Sequence, residues 1–357
     1  MRPQVRDDVA LMAGYHSPQL DVAIRLNTNE APEAPPAGFA DRLAEQVRAI
    51  EWHRYPDRGA TALRGRIADV ERCRADQVFA ANGSNEVLQT VCLAYGGAGR
   101  RAMVFEPTYA LHAHISRVCG TEVIELERSE DFSIDVDSAV AAIALHRPAI
   151  TFLCSPNNPT GMIEAAETVA RILRATSAAD GLLVVDEAYG QFAPWSALSL
   201  VDEDSPLVVT RTFSKTWSMA AARLGYLVGP SWVVADLDKV VLPYHLDAAK
   251  QAAGIIALDY LDEMVRRVAS LVEERGRVSA AFDELPVTHW LSAANFILFR
   301  PDAVSGDDVW QQLVERSILV RNCSSWPRLD GCLRVTLGTP SENDAFIAAL
   351  TDILGAS

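Results

Sequence analysis

Apolar residues follow two different rhythms along the chain. Leu43, Val47 and Ile50, and then Leu63, Ile67 and Val70, recur at helical spacing and predict two helices. A Pro-punctuated loop, His53-Arg54-Tyr55-Pro56-Asp57, separates them. From residue 78 the pattern changes to short apolar runs without alternation: Val78–Ala81, Ala102–Phe105, Glu122–Leu126, Ala149–Cys154, Leu182–Val185, Leu207–Thr210 and Tyr226–Val228. Such runs suit strands covered on both faces, so they predict a mostly parallel sheet with helices on either side, an α/β sandwich. After Pro243 the texture shifts again. Leu261, Val265, Val268 and Val272 form one stripe on a long helix, followed by strand-like Phe296–Phe299, Ile318–Val320 and Leu333–Val335 and a last helix after Ser341. The expected organisation is an N-terminal arm (1–35), a large domain (36–250) and a small α+β C-terminal domain (251–357).

Composition narrows the function. A net charge of −15 argues against a nucleic-acid partner, which would need a basic face, but leaves room for small anions held by local arginines. The start, MRPQVRDD, lacks the apolar core of a signal peptide, and no apolar run is long enough to span a membrane. A cytoplasmic location is expected. The six cysteines are scattered without a CxxC pair and read as buried thiols in a reducing compartment. Only Lys215, Lys239 and Lys250 are lysines, so 29 of the 32 basic residues are arginine. Chemistry that needs a primary amine therefore has three candidates.

Four polar clusters stand just beyond predicted strands, at the sheet edge where α/β folds bind ligands. Asn82-Gly83-Ser84-Asn85 opens a helical run and offers hydroxyl, amide and backbone N–H groups to an anion; capping alone is the commoner use of such residues. Ser155-Pro156-Asn157-Asn158-Pro159-Thr160-Gly161 is a turn made rigid by two prolines, suited to holding an Asn side chain toward a ligand. Val185-Asp186-Glu187-Ala188-Tyr189 ends an apolar strand in a carboxylate that needs a partner if buried, such as a cationic ring nitrogen. Thr212-Phe213-Ser214-Lys215 puts a rare lysine at a strand end, where it could form a Schiff base that no arginine can form. Ser214 and Arg223 could neutralise a phosphate near that amine.

Asn157, Asp186-x-x-Tyr189, Ser214-Lys215 and Arg223, in that order and spacing, resemble the class I and II aminotransferases of fold-type I, nearly end to end. Further strings resemble the histidinol-phosphate aminotransferase family: Leu26-Asn27-Thr28-Asn29-Glu30, Arg54-Tyr55-Pro56-Asp57, Leu242-Pro243-Tyr244-His245-Leu246, Ala294-Asn295-Phe296, Leu319-Val320-Arg321 and Leu333-Arg334-Val335-Thr336. The resemblance implies the cofactor pyridoxal 5'-phosphate (PLP), held covalently by Lys215, which would also shuttle the proton. Asp186 would keep the pyridine nitrogen protonated. Asn157 and Tyr189 would bond the ring oxygen, and Tyr109 would stack on the ring. Ser84, Asn85, Thr212, Ser214 and Arg223 would take the phosphate, joined by Tyr55 from a second subunit, so a homodimer is implied. Arg321 and Arg334, with Tyr15 and Asn29, would contact substrate. The expected reaction is amino-group exchange between histidinol phosphate and 2-oxoglutarate.

Other readings are weaker or stay open. No G-x-G-x-x-G follows an early strand, which removes a nicotinamide oxidoreductase, and no spare helix-turn-helix supports a PLP-sensing regulator. An aromatic amino-acid aminotransferase fits the same residues. A decarboxylase or lyase of this fold would share Lys215 and Asp186, but keeping both Arg321 and Arg334 favours transamination with a dicarboxylate. His112-x-His114 has no third ligand in view, so no metal is expected. The tryptophans, Trp326 included, read as packing residues. The chain departs from the family's pattern at Asn29-Glu30-Ala31-Pro32 and over residues 216–222.

Overall fold

A computed structural model of the protein describes residues 3–10, 12, 14 and 20–355. All seven early runs are strands of one sheet: β2 (Val78–Ala81), β3 (Arg101–Glu106), β4 (Glu122–Glu127), β5 (Ile150–Cys154), β6 (Leu182–Asp186), β7 (Leu207–Thr212) and β8 (Gly225–Val228), in the order β2-β8-β7-β6-β5-β3-β4. β3 through β7 pair in parallel, while β8 runs antiparallel to both β2 and β7. The unbroken apolar runs follow from cover on both faces. In β6, Leu182 and Val184 join one core cluster and Leu183 and Val185 the other.

A second sheet of five strands packs on the helix Leu261–Asp283 and the last helix, Pro340–Gly355. It contains β9 (Val287–His289), β10 (Phe296–Pro301), β11 (Ile318–Asn322) and β12 (Leu333–Thr336), all antiparallel neighbours, in the order β1-β11-β12-β10-β9. Its edge is β1 (Ile24–Leu26), which comes from the N-terminal arm and pairs in parallel with β11. Three-residue strands such as β1 and β9 are too short to show a period, so neither is predicted from sequence.

The boundary expected at residue 250 falls inside the helix Ala248–Leu258. Ala253, Ile256, Ala257 and Leu258 from that helix pack with Phe39, Leu63 and Phe213 of the large lobe. The helix thus packs with the first lobe, as do Tyr260, Leu261 and Met264 after it, while Leu271 and Val278 join the core of the second. No helix among the described residues is long and apolar enough to cross a membrane.

Candidate active site

A cavity of about 220 Å³ lies where β5, β6 and β7 end and the second sheet approaches. Asn29, Ser84, Asn85, Tyr109, Asp186, Tyr189, Thr212, Ser214, Lys215, Arg223, Arg321 and Arg334 all line it. Twelve residues spread over three hundred positions of sequence are thereby brought together.

Lys215 lies three residues past β7. Its Nζ donates to the Thr28 carbonyl at 2.8 Å and sits 5.9 Å from the centre of the Tyr189 ring. Desolvation lowers its pKa to about 7, helped by the positive charges of Arg334 and Arg223 and opposed by Glu30. A lowered pKa means the amine is neutral, and so nucleophilic, above pH 7 instead of above pH 10. We expect the rate at which cofactor-free protein takes up PLP, followed by absorbance, to rise through about pH 7 and then level off. A rate still climbing at pH 9 would contradict an amine set near 7.

Asp186, almost fully buried at the end of β6, receives the Ala188 N–H at 3.0 Å and is hydrogen-bonded to His112 Nε2 at 2.9 Å. His112 in turn lies flat on Phe152, with ring centres 4.9 Å apart. These partners make a buried carboxylate affordable. His112 is a site residue that the sequence reading treated as structural. The available signal was its place one helical turn after Tyr109, on the helix that faces the end of β6. The phenol of Tyr189 accepts from Asn29 Nδ2 at 2.9 Å, and Asn29 is fixed by Thr336, whose hydroxyl accepts from its backbone N–H and donates to its Oδ1, both at 2.9 Å. Burial pushes the Tyr189 phenol up to about 12, although Arg334 and the Asn29 bond pull the other way.

The polar cradle forms at the start of the helix Gly83–Tyr95. Gly83 has φ +80°, and a Cβ there would come within 2.8 Å of Arg223 Nη2, so glycine is needed for the guanidinium to lie against this turn. Gly225 is equally constrained: its Cβ would meet the Ser84 backbone nitrogen at 2.3 Å. Arg223 donates to Ser214 Oγ at 3.1 Å, and Thr212 donates to the same oxygen at 3.0 Å. Tyr109 donates to Asn85 Oδ1 at 3.1 Å. Among the described residues no carboxylate pairs with Arg223. Its charge, the helix N-terminus and the hydroxyls together form an anion site.

The second-sheet wall carries Arg321 and Arg334, which are direct cross-strand partners in β11 and β12. Arg334 is buried, yet among the described residues it donates only to neutral oxygens, Asn158 Oδ1 and the Asn27 carbonyl, and its Nε has no partner. Like charges facing each other on adjacent strands are unfavourable unless an anion joins them.

One sequence expectation changes in detail. Asn157 is fully buried but does not line the cavity; its amide donates to the Pro107 carbonyl and Thr160 Oγ1 while its Oδ1 accepts from Thr108. That side chain is saturated in holding the turn, and its neighbour Asn158 faces the cavity instead. Tyr55, expected to act on a second subunit, is 80% exposed, and its ring stacks on Tyr244 with centres 4.4 Å apart. Tyr15 lies outside the described residues. Trp326, expected only to pack, lines the cavity.

An amine set near neutrality, a braced buried carboxylate and an anion cradle with an uncompensated guanidinium fit the requirements of PLP. Comparison with known proteins agrees. The family model of the class I and II aminotransferases matches residues 21–350. The histidinol-phosphate aminotransferase of Corynebacterium efficiens is 41% identical, with 98% of this chain and 95% of that protein covered. That of Rhodococcus jostii is 43% identical over 98% of this chain and 92% of its own length. In fold, the chain is similar to histidinol-phosphate aminotransferase of Sinorhizobium meliloti in complex with pyridoxal-5'-phosphate, with a TM-score of 0.89, 20% identity and 99% and 98% of the two chains covered. With the family model spanning most of the chain and relatives above 40% identity end to end, this chain belongs to the PLP-dependent class I and II aminotransferases and, within them, to the histidinol-phosphate aminotransferases.

Proposed function

We propose that the chain exchanges an amino group between histidinol phosphate and 2-oxoglutarate, giving imidazole acetol phosphate and glutamate. The observation that carries this reading is the register-paired Arg321 and Arg334 on the wall of the cavity that holds Lys215. Two guanidiniums suit substrates that present a phosphate in one half-reaction and carboxylates in the other. Arg334 would grip the α-carboxylate of glutamate, and both arginines the phosphate of histidinol phosphate. Asn29, within the same cavity, would help to position substrate.

When bound, PLP supplies the electron sink that lets the substrate's α-hydrogen be removed as a proton. Lys215 Nζ, its pKa lowered to about 7, would be the base that takes this proton from the substrate's α-carbon and delivers it to the carbon that was the cofactor's aldehyde. Asp186, braced by His112, holds the proton on the pyridine nitrogen. Tyr189 and Asn158 would hold the ring oxygen, with Asn158 in the role that the sequence gave to Asn157. Tyr109 would pack on the ring, while Ser84, Asn85, Thr212, Ser214 and Arg223 would hold the phosphate. The exposed Tyr55 completes the cradle of a second copy, so the working form is a homodimer.

The test is a half-reaction on purified holoenzyme. Histidinol phosphate is expected to bleach the cofactor's visible absorbance within seconds, and phenylalanine at equal concentration to leave it nearly unchanged. The reverse order would move the protein to the aromatic amino acids; bleaching by neither would end the proposal.

A further inference from the structure

Both arginines of the pair rest on aromatic rings. The guanidinium carbon of Arg334 lies 5.0 Å from the centre of Phe296, and that of Arg321 lies 5.0 Å from the centre of Trp326. Phe296 is a core residue of the second sheet, with no accessible surface. Trp326 is different. It sits in the turn between β11 and β12, with the cavity on one side and Phe132, Leu298, Cys323 and Leu329 on the other.

Three observations separate Trp326 from a mere packing residue. Its Nε1 is buried and has no hydrogen-bond partner among the described residues, so an indole is not kept here to tie the loop together. The loop is held by other means: Cys323 N–H donates to the Cys332 carbonyl at 2.9 Å, and Arg328 donates to the Arg128 carbonyl. Arg128 is itself buried and paired with Glu164 at 2.5 Å, which anchors the turn to the large lobe. Beyond packing on that cluster the indole offers its face, and the Arg321 guanidinium lies against it.

The choice of ring has an electrostatic consequence. A carboxylate in its place would hold a guanidinium in one direction but cancel the charge that an anionic substrate needs. An aromatic face attracts the cation through its quadrupole and leaves the full charge in place. We infer that Trp326 is a positioning residue: it aims Arg321 into the cavity without neutralising it, and so sets the preference for an amino donor that carries a phosphate. This inference rests on the proposed reaction, with Arg321 as a phosphate ligand.

The experiment compares kcat and KM for histidinol phosphate and for histidinol, its phosphate-free counterpart, in holoenzyme with Trp326→Phe, Trp326→Leu and Trp326→Glu. Trp326→Leu is expected to raise KM for histidinol phosphate about two- to thirty-fold, with kcat and the KM for histidinol little changed. Trp326→Phe keeps a ring face and should restore most of the preference. Trp326→Glu should hold Arg321 yet lose the preference as far as leucine does, or further. Should the leucine variant not accumulate as holoenzyme, Trp326→Gln carries the same comparison. An unchanged ratio between the two donors, or equal losses for both, would show that Trp326 only packs. If the wild-type enzyme itself makes no distinction between the donors, the proposed reaction fails, and that outcome is visible before any variant is made.

Discussion

Lys215→Ala is expected to lower turnover by at least ~10⁴-fold with PLP saturating, because nucleophile and proton carrier are lost together. No other lysine can substitute. Lys239 is an exposed partner of Asp236 at 2.6 Å, and Lys250 is engaged with Asn82 beside Asp247. Neither lines the cavity. Borohydride reduction of wild-type holoenzyme, followed by peptide mapping, should fix the cofactor at residue 215. A label at 239 or 250 would refute the site. The same variant tests the shared cradle. Tyr55→Ala should weaken PLP binding roughly tenfold, as expected for one lost charged hydrogen bond. Mixed dimers of Tyr55→Ala with Lys215→Ala contain one site with both residues, and should recover tight PLP binding at half of their sites. No recovery on mixing would mean that Tyr55 does not serve a second subunit.

For Arg334→Ala we expect kcat/KM for glutamate to fall by about 2–4 kcal/mol of charged hydrogen bonding, on the order of 30- to 1,000-fold, mostly through KM. The physical basis is the guanidinium's isolation. It is buried among neutral acceptors, with one nitrogen unpaired, so the protein has already borne the cost of desolvating a cation that only a ligand can compensate. Removing it also relieves the repulsion with Arg321 across the strand pair. The variant should therefore be no less heat-stable than wild type in the absence of substrate. Unchanged glutamate kinetics would show that the clamp is misassigned, and a loss of thermal stability alone would mark Arg334 as structural.

The sequence revealed what depends on local pattern. The inner strands of the large sheet were legible because their residues are covered on both faces, the exposed edge strand β4 being the exception, and Lys215 stood out because this chain uses lysine so rarely. Strand direction was not legible: the antiparallel β8 has the same unbroken run as its parallel neighbours. The choice between Asn157 and Asn158 failed for a related reason. Within a tight turn, neighbouring side chains diverge, and composition cannot say which one turns inward to brace Thr108 and which faces the ligand. His112 and Trp326 were seen in the sequence but not their contacts, which depend on partners 74 positions away in one case and across a turn in the other.

The pairing of β1 with β11 sets an order on how the molecule can be made. Ile24 meets Ile318, so that contact cannot exist until residue 318 has left the ribosome. The seven-stranded sheet, by contrast, is complete once residue 228 has emerged. A nascent chain can thus assemble the strands that carry Asp186 and Lys215 well before the arginines arrive. The half of the cavity that holds Lys215 and Asp186 is thus encoded ahead of the wall that carries Arg321 and Arg334.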